Sequence, residues 1–224
     1  MTQRYAVYHV PPILHPLWAA GCSWLGRDPC ADEIGRPPPG RIQPWRYGFH
    51  ATLKPPMRLA AGIVVPALQQ AVRALARAHQ PFEMPALQVS ELDQFIALRL
   101  VTPLGVNDPL QDIGDACVCD LDELRAPLSA SETARRLSTP LDDDQQALLA
   151  RWGYPHVLHR WRYHFTLSDR LADEGQRAEL LAQAREHFAA ALSVPLTFDA
   201  LSVFVELAPG APLRLSQRFP LGKA

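Results

Sequence analysis

Hydrophobic and polar positions alternate over Arg4 to Val10, where Tyr5, Val7 and His9 interleave with Ala6, Tyr8 and Val10, and this predicts a first strand ended by Pro11-Pro12. A short helix is expected over His15 to Leu25. A Gly/Pro-rich loop follows over Asp28 to Pro44, then a strand from Tyr47 to Leu53 stopped by Pro55-Pro56. Val65 to His79 carries Leu68, Val72 and Leu75 at helical spacing, and Ala86 to Ser90 with Phe95 to Val101 reads as a hairpin around a short turn.

The middle of the chain changes character. Pro109 to Leu124 and Leu141 to Trp152 read as helices, the second entered through Asp142-Asp143-Asp144, which suits the positive end of a helix dipole. A strand over Arg162 to Leu167 comes next, then a long helix over Glu174 to Leu192. Strands over Leu196 to Leu207 and Leu213 to Phe219 flank Ala208-Pro209-Gly210. The order strand, helix, hairpin thus occurs twice. The expected class is α+β: two similar lobes, each an antiparallel sheet with helices packed on one face, in one bilobal unit spanning residues 1–224. The helical connector would run over about 105–152.

The repeat is sharpest in one motif. Arg46-Tyr47-Gly48-Phe49-His50-Ala51-Thr52-Leu53-Lys54 aligns on its histidine with Arg160-Trp161-Arg162-Tyr163-His164-Phe165-Thr166-Leu167-Ser168. Side chains on a strand point alternately to opposite faces. By parity, Arg46, His50, Thr52 and Lys54 share one face of the first segment, and Arg160, Arg162, His164 and Thr166 share one face of the second. The opposite faces are apolar. Two imidazoles with ordinary values near 6.5 can serve the two ends of an in-line displacement at phosphorus, one taking a proton and the other giving one. The threonine hydroxyls can hold non-bridging oxygens, and Arg46, Lys54, Arg160 or Arg162 can offset the charge that builds there. Tyr8 is a candidate wall of the same site. Nothing in the motif decides which histidine is acid and which is base.

Two H-x-T-hydrophobic motifs half a chain apart, each on an expected strand, resemble the two-histidine (2H) phosphoesterase superfamily, whose members include cyclic phosphodiesterases and RNA ligase-like 2′,3′ enzymes. The stretch Tyr47 to Pro56, Trp152-Gly153-Tyr154-Pro155 with Arg162 to Leu167, and the N-terminal Arg4 to Tyr8 and Pro16-Leu17-Trp18 are similar to phosphonate metabolism proteins of bacterial phosphonate-utilisation operons. The likeness runs over nearly the whole chain. It implies two lobes with one motif each facing a central cleft, His50 and His164 as the acid–base pair, Thr52 and Thr166 as phosphate ligands, and no metal or other cofactor. It also implies a small cyclic phosphate substrate, such as ribose 1,2-cyclic phosphate. A nucleoside 2′,3′-cyclic phosphate or an RNA end is the alternative, and a non-catalytic module that binds a phosphorylated ligand is the alternative from another class.

Composition narrows these. Net charge is −1, with 22 basic and 23 acidic residues, so a broad nucleic-acid surface is not expected and a small phosphorylated substrate is favoured. Hydrophobic residues make up 48%, enough for a sizeable core. No run reaches the roughly 18 apolar residues of a membrane span, and Met1 to Val10 lacks the form of a secretion signal, so a cytoplasmic location is expected. Cys22, Cys30, Cys117 and Cys119 form no metal-knuckle spacing and are expected as free thiols. His156, His159 and His164 lack the spacing of a zinc pair.

Overall fold

The computed structural model describes residues 3–32 and 35–222. Within the expected loop Asp28 to Pro44, residues 33 and 34 lie outside the described residues. Seven strands form one antiparallel sheet. They are β1 (Arg4–His9), β2 (Ala51–Met57), β4 (Leu87–Leu92), β5 (Phe95–Leu100), β6 (His164–Thr166), β8 (Ala200–Glu206) and β9 (Arg214–Pro220), in the order β4-β5-β6-β2-β1-β8-β9. Two short strands, β3 (Phe82–Glu83) and β7 (Thr197–Phe198), pair separately. The main helices are α1 (Pro16–Leu25), α2 (Ile42–Tyr47), α3 (Val65–Ala78), α4 (Pro109–Cys119), α5 (Ala130–Leu137), α6 (Asp143–Trp152) and α7 (Glu174–Leu192). The class is α+β, as the alternation pattern implies.

The two halves interleave. Hairpin β4–β5, from the first half, pairs with β6, the strand of the second motif. Hairpin β8–β9, from the second half, pairs with β1 beside the first motif. The order of elements along the chain does not say which open edge a hairpin will join. The sheet is continuous because β6 also pairs with β2, through Ala51 and Phe165.

One face of the sheet is packed. Phe49 stacks on Phe165 at 4.7 Å and on Phe188 of α7 at 6.0 Å, and its ring lies against Gly21 of α1. Leu68, Val72 and Leu75 of α3 join the same core. Burying each such side chain contributes about 1.5–3 kcal/mol, which is what holds the helices to the strands.

Three expectations about the first motif need correction. The chain over Ile42 to Tyr47 is helical, so Arg46 and Tyr47 precede the strand instead of opening it. Pro55 and Pro56 do not stop β2, which runs to Met57. They are tolerated because β6 pairs with β2 only at Ala51; beyond it Trp161 Nε1 donates to the Thr52 carbonyl at 2.9 Å, and no strand needs the missing N–H groups. Finally, β1 and β2 slip register between Tyr8↔Thr52 and Val7↔Lys54. That bulge breaks the alternation, and Lys54 turns towards α4.

The connector also departs from expectation. Helix α4 ends at Cys119, a separate 3-10 turn covers Asp122–Leu124, and the short amphipathic α5 lies where no element was expected. Its Ser129 and Glu132 form a capping box, and Asp142 with Gln145 forms another at α6.

Candidate active site

The pairing of Ala51 with Phe165 sets the geometry of the two motifs. The strands are antiparallel, so one residue to either side His50 lies opposite Thr166 and Thr52 lies opposite His164. All four then fall on the face away from the Phe49–Phe165 core. Directly opposite residues in such a pair sit roughly 5 Å apart and diagonal ones roughly 7–8 Å, so the two imidazoles are diagonal neighbours across one strand gap.

Both histidines are anchored alike. His50 Nδ1–H donates to the Gly48 carbonyl at 2.8 Å, and His164 Nδ1–H donates to the Arg162 carbonyl at 2.6 Å. A carbonyl can only accept, so in each neutral ring the proton sits on Nδ1 and Nε2 carries the lone pair. In His50 that Nε2 lies 3.1 Å from the Thr52 hydroxyl, which donates to it. The His50 ring stacks on Tyr8 at 3.7 Å and 23°, and Tyr47 lies 6.2 Å away. Phe95 lies 5.8 Å from His164.

The anchor at His50 depends on Gly48. Its φ of 80° and ψ of 171° belong to a region that only glycine adopts readily, and an added Cβ would come within 2.5 Å of the Pro29 ring. The turn thus brings a backbone carbonyl beneath the imidazole.

Burial pushes His50 down to about 4; its bond to the Gly48 carbonyl opposes this, and the charge of His164 adds to it. His164 is lowered too, first by burial and then by the cations Arg162 and Arg99, against the pull of the Arg162 carbonyl. Both rings are therefore neutral at pH 7 in the free protein. A bound anion would raise both.

The expected cations are placed differently from the histidines. Lys54 is buried, bonding the Val118 carbonyl at 2.8 Å and Asp122 at 3.3 Å. Arg160 sits on a 3-10 turn and pairs with Asp144 at 2.6 Å and Asp142 at 3.0 Å. The second strand begins only at His164, so neither Arg160 nor Arg162 shares it, and Arg162 pairs with Asp93 at 3.0 Å. Arg46 pairs with the buried Glu206, which Arg4 also holds. Lys54 and Arg160 thus serve the architecture, whereas Arg46 stands beside Tyr47, its guanidinium 5.3 Å from that ring.

The sequence offered no notice of Arg99. It is the cross-strand partner of His164 and so shares its face. Its position in the hairpin was legible, but its neighbour was not, because the hairpin joins the other half's motif strand. Away from the motifs, Arg136 lies over the Tyr154 ring. Their aromatic–cation contact, 4.5 Å, joins α5 to the loop after α6. Among the described residues no cluster of three or more His, Cys, Asp or Glu is arranged to hold a metal ion.

A face of this kind can accept a proton at one imidazole and deliver one at the other, with a hydroxyl beside each.

Residues 52–214 match the family described as "Protein of unknown function (DUF1045)". The chain is 41% identical over 97% of its length to a protein of Janthinobacterium sp. (strain Marseille) named "Ribose 1,5-bisphosphate phosphokinase PhnN", and 37% identical over 95% to one of the same name from Laribacter hongkongensis (strain HLHK9). The chain spans about half the length of these curated relatives, 50% in each case. Among solved structures, a phosphoesterase matches with a TM-score of 0.47 at 12% identity, covering 100% of both chains. E. coli LigT complexed with 3′-AMP matches with a TM-score of 0.43 at 13% identity, also covering 100% of both. These two likenesses are loose, and the arrangement of the motifs is the stronger observation. The chain belongs to the DUF1045 family.

Proposed function

We propose that the protein is a metal-independent phosphoesterase that opens a small cyclic phosphodiester, with ribose 1,2-cyclic phosphate the leading candidate. The observation that carries this is the antiparallel register of the two H-x-T segments, with each Nδ1 anchored to the carbonyl two residues back and each Nε2 left for chemistry.

His50 is assigned as general base. Its Nε2 already accepts a proton donor, the Thr52 hydroxyl, and its lowered value keeps that lone pair available. When substrate binds, the Thr52 hydroxyl turns to a non-bridging oxygen and a water takes its place at Nε2. His164 is assigned as general acid. The anionic diester raises it towards neutrality, so that it binds protonated and gives its proton to the departing sugar oxygen. Thr166 holds the second non-bridging oxygen. One P–O bond to the attacking water forms as the ring P–O bond breaks, and the product is a phosphomonoester.

The ribose assignment draws support from the relatives named for ribose 1,5-bisphosphate. This chain has no G-x-x-x-x-G-K-[ST] phosphate loop, so the kinase activity in that name is assigned to the other half of those proteins. The test is steady-state hydrolysis of ribose 1,2-cyclic phosphate beside nucleoside 2′,3′-cyclic phosphates and a cyclic-ended oligonucleotide. The highest kcat/KM is expected for the ribose compound. Turnover of only the oligonucleotide would move the protein to RNA-end processing, and binding without turnover of any of them would make it a ligand-binding module.

A further inference from the structure

The two histidines are anchored alike, but their anchors are held by different means. The Gly48 carbonyl beneath His50 is fixed by a glycine turn set against Pro29. The Arg162 carbonyl, which accepts from His164 Nδ1 at 2.6 Å, has no such turn. Strand β6 begins only at His164, so residues 161–163 precede the ladder. The Arg162 side chain pairs with Asp93 at 3.0 Å, but both are about half exposed, and a pair open to solvent holds its partners weakly.

The residues on either side of Arg162 grip the first half of the chain. Trp161 Nε1 donates to the Thr52 carbonyl of β2 at 2.9 Å. The Tyr163 hydroxyl is hydrogen-bonded to His9 Nδ1 of β1, and both of these residues are buried. Tyr163 lies edge-on to Trp161 at 5.8 Å and to Phe165 at 5.7 Å, while His9 stacks on Phe198 at 4.1 Å. The register explains the reach. His9 pairs with Ala51 and Ala51 with Phe165, so Tyr163, packed on Phe165, meets His9 from across β2. Gly114 of α4 makes room for the indole: a Cβ there would come within 2.7 Å of Trp161 Cζ3.

Buried aromatic residues ordinarily serve packing, and packing alone asks for no hydroxyl. A buried hydroxyl beside a buried imidazole is favourable only because each satisfies the other. What singles out Trp161 and Tyr163 is what lies between them: one backbone carbonyl, its oxygen taken up by His164.

We infer that Trp161 and Tyr163 are positioning residues, whose bonds to Thr52 and His9 hold the Arg162 carbonyl against His164 Nδ1, so that the ring keeps its proton on Nδ1 and leaves Nε2 for chemistry. The catalytic consequence rests on the assignment of His164 to proton transfer; the tautomer does not. Trp161 also ties Thr52 to the second motif, so the two half-sites keep one spacing.

The experiment follows His164 by NMR in protein labelled with 15N-histidine, its signals identified by their loss in His164→Ala. Steady-state kinetics on ribose 1,2-cyclic phosphate and nucleoside 2′,3′-cyclic phosphates accompany it. The proteins are the wild type, Trp161→Phe, Tyr163→Phe and the double variant His9→Phe/Tyr163→Phe, with Val72→Ala in the core face of α3 as the stability control. A neutral imidazole left to itself in water favours Nε2–H, so the tautomer reports the anchor directly. The wild type is expected as Nδ1–H. Trp161→Phe and Tyr163→Phe should each admit the Nε2–H form and move the His164 titration to lower pH, because the Arg162 carbonyl opposes the fall imposed by burial and by Arg162, Arg99 and His156. Their kcat should drop about 10- to 100-fold with KM nearly unchanged, as for a group displaced by up to about 1 Å. The double variant replaces both partners by apolar rings, so it should melt higher than Tyr163→Phe without regaining the Nδ1–H tautomer or kcat. Val72→Ala should melt lower and keep both. If no substrate is turned over, the phosphoesterase reading fails, and the tautomer still decides the positioning. A wild-type tautomer and titration in either single variant, an equal shift in Val72→Ala, or a return of the tautomer in the double variant would overturn the inference.

Discussion

Replacing Gly48 by alanine attacks the histidine anchor without touching a histidine. The backbone there has φ 80° and ψ 171°, and an alanine held in that region costs about 1–3 kcal/mol. The new Cβ would lie 2.5 Å from Pro29 Cγ, and overpacking of this kind costs about 1–3 kcal/mol more. For a chain of this size roughly 2–4 °C is lost per kcal/mol, so a drop in Tm on the order of 5–20 °C is expected by scanning calorimetry. The kinetic consequence is separate. Relief of the clash moves the Gly48 carbonyl that accepts from His50 Nδ1 at 2.8 Å, and a displacement of about 1 Å costs about 10²-fold in kcat. Gly62→Ala is the control: φ is 81° there too, but nothing lies within 4 Å of the new Cβ. It should lose less stability and keep kcat. Wild-type Tm and kcat in Gly48→Ala would refute the reasoning.

His50→Ala and His164→Ala should each lower kcat by about 10²–10⁴-fold with near-native melting, measured on any substrate the wild type turns over. Thr52→Ala and Thr166→Ala should each cost about 10- to 150-fold in kcat/KM, and never more than the histidine beside them. In the pH–rate profile, the acid limb of kcat/KM should fall near 4, where His50 of the free protein gains its proton, and the kcat profile should lie to its alkaline side because the bound anion raises His164; coincident profiles with optima above pH 7 would exclude the assigned roles. His9 is buried against Phe198, and burial holds it down to about 3, so the unfolded chain takes up its proton near 6.5 while the folded one does not. Stability is therefore lost as pH falls below 6.5, by roughly 3 kcal/mol for this group by pH 4.5, and His9→Phe should flatten that slope in urea melts.

How much of this was legible depends on whether a feature is local. The strands, the helices α1, α3 and α7 and both hairpins follow from periodicity, because each side chain's face is set by its own backbone. The histidines and threonines follow from the matched motifs. Lys54 was misplaced because a bulge between Thr52 and Lys54 inverts the alternation, and a bulge has no residue signature when no glycine marks it. Arg160 was misplaced because a 3-10 turn over Leu158–Arg160, opened by Leu158 at φ 54°, bends the chain before the strand starts. Arg46 belongs to α2, a helix of six residues too short to show a period. Arg99 reaches the site by long-range strand pairing, which no window of sequence contains.

Phosphorus NMR of ribose 1,2-cyclic phosphate, followed in parallel with the wild type, His50→Ala and His164→Ala in the presence of EDTA, tests the central claim most directly. The account predicts that the cyclic resonance is replaced by a single phosphomonoester resonance with the wild type, and that conversion slows by about 10²-fold or more with either variant. Complete loss of wild-type activity in EDTA with rescue by a divalent ion, or wild-type conversion by either histidine variant, would contradict it.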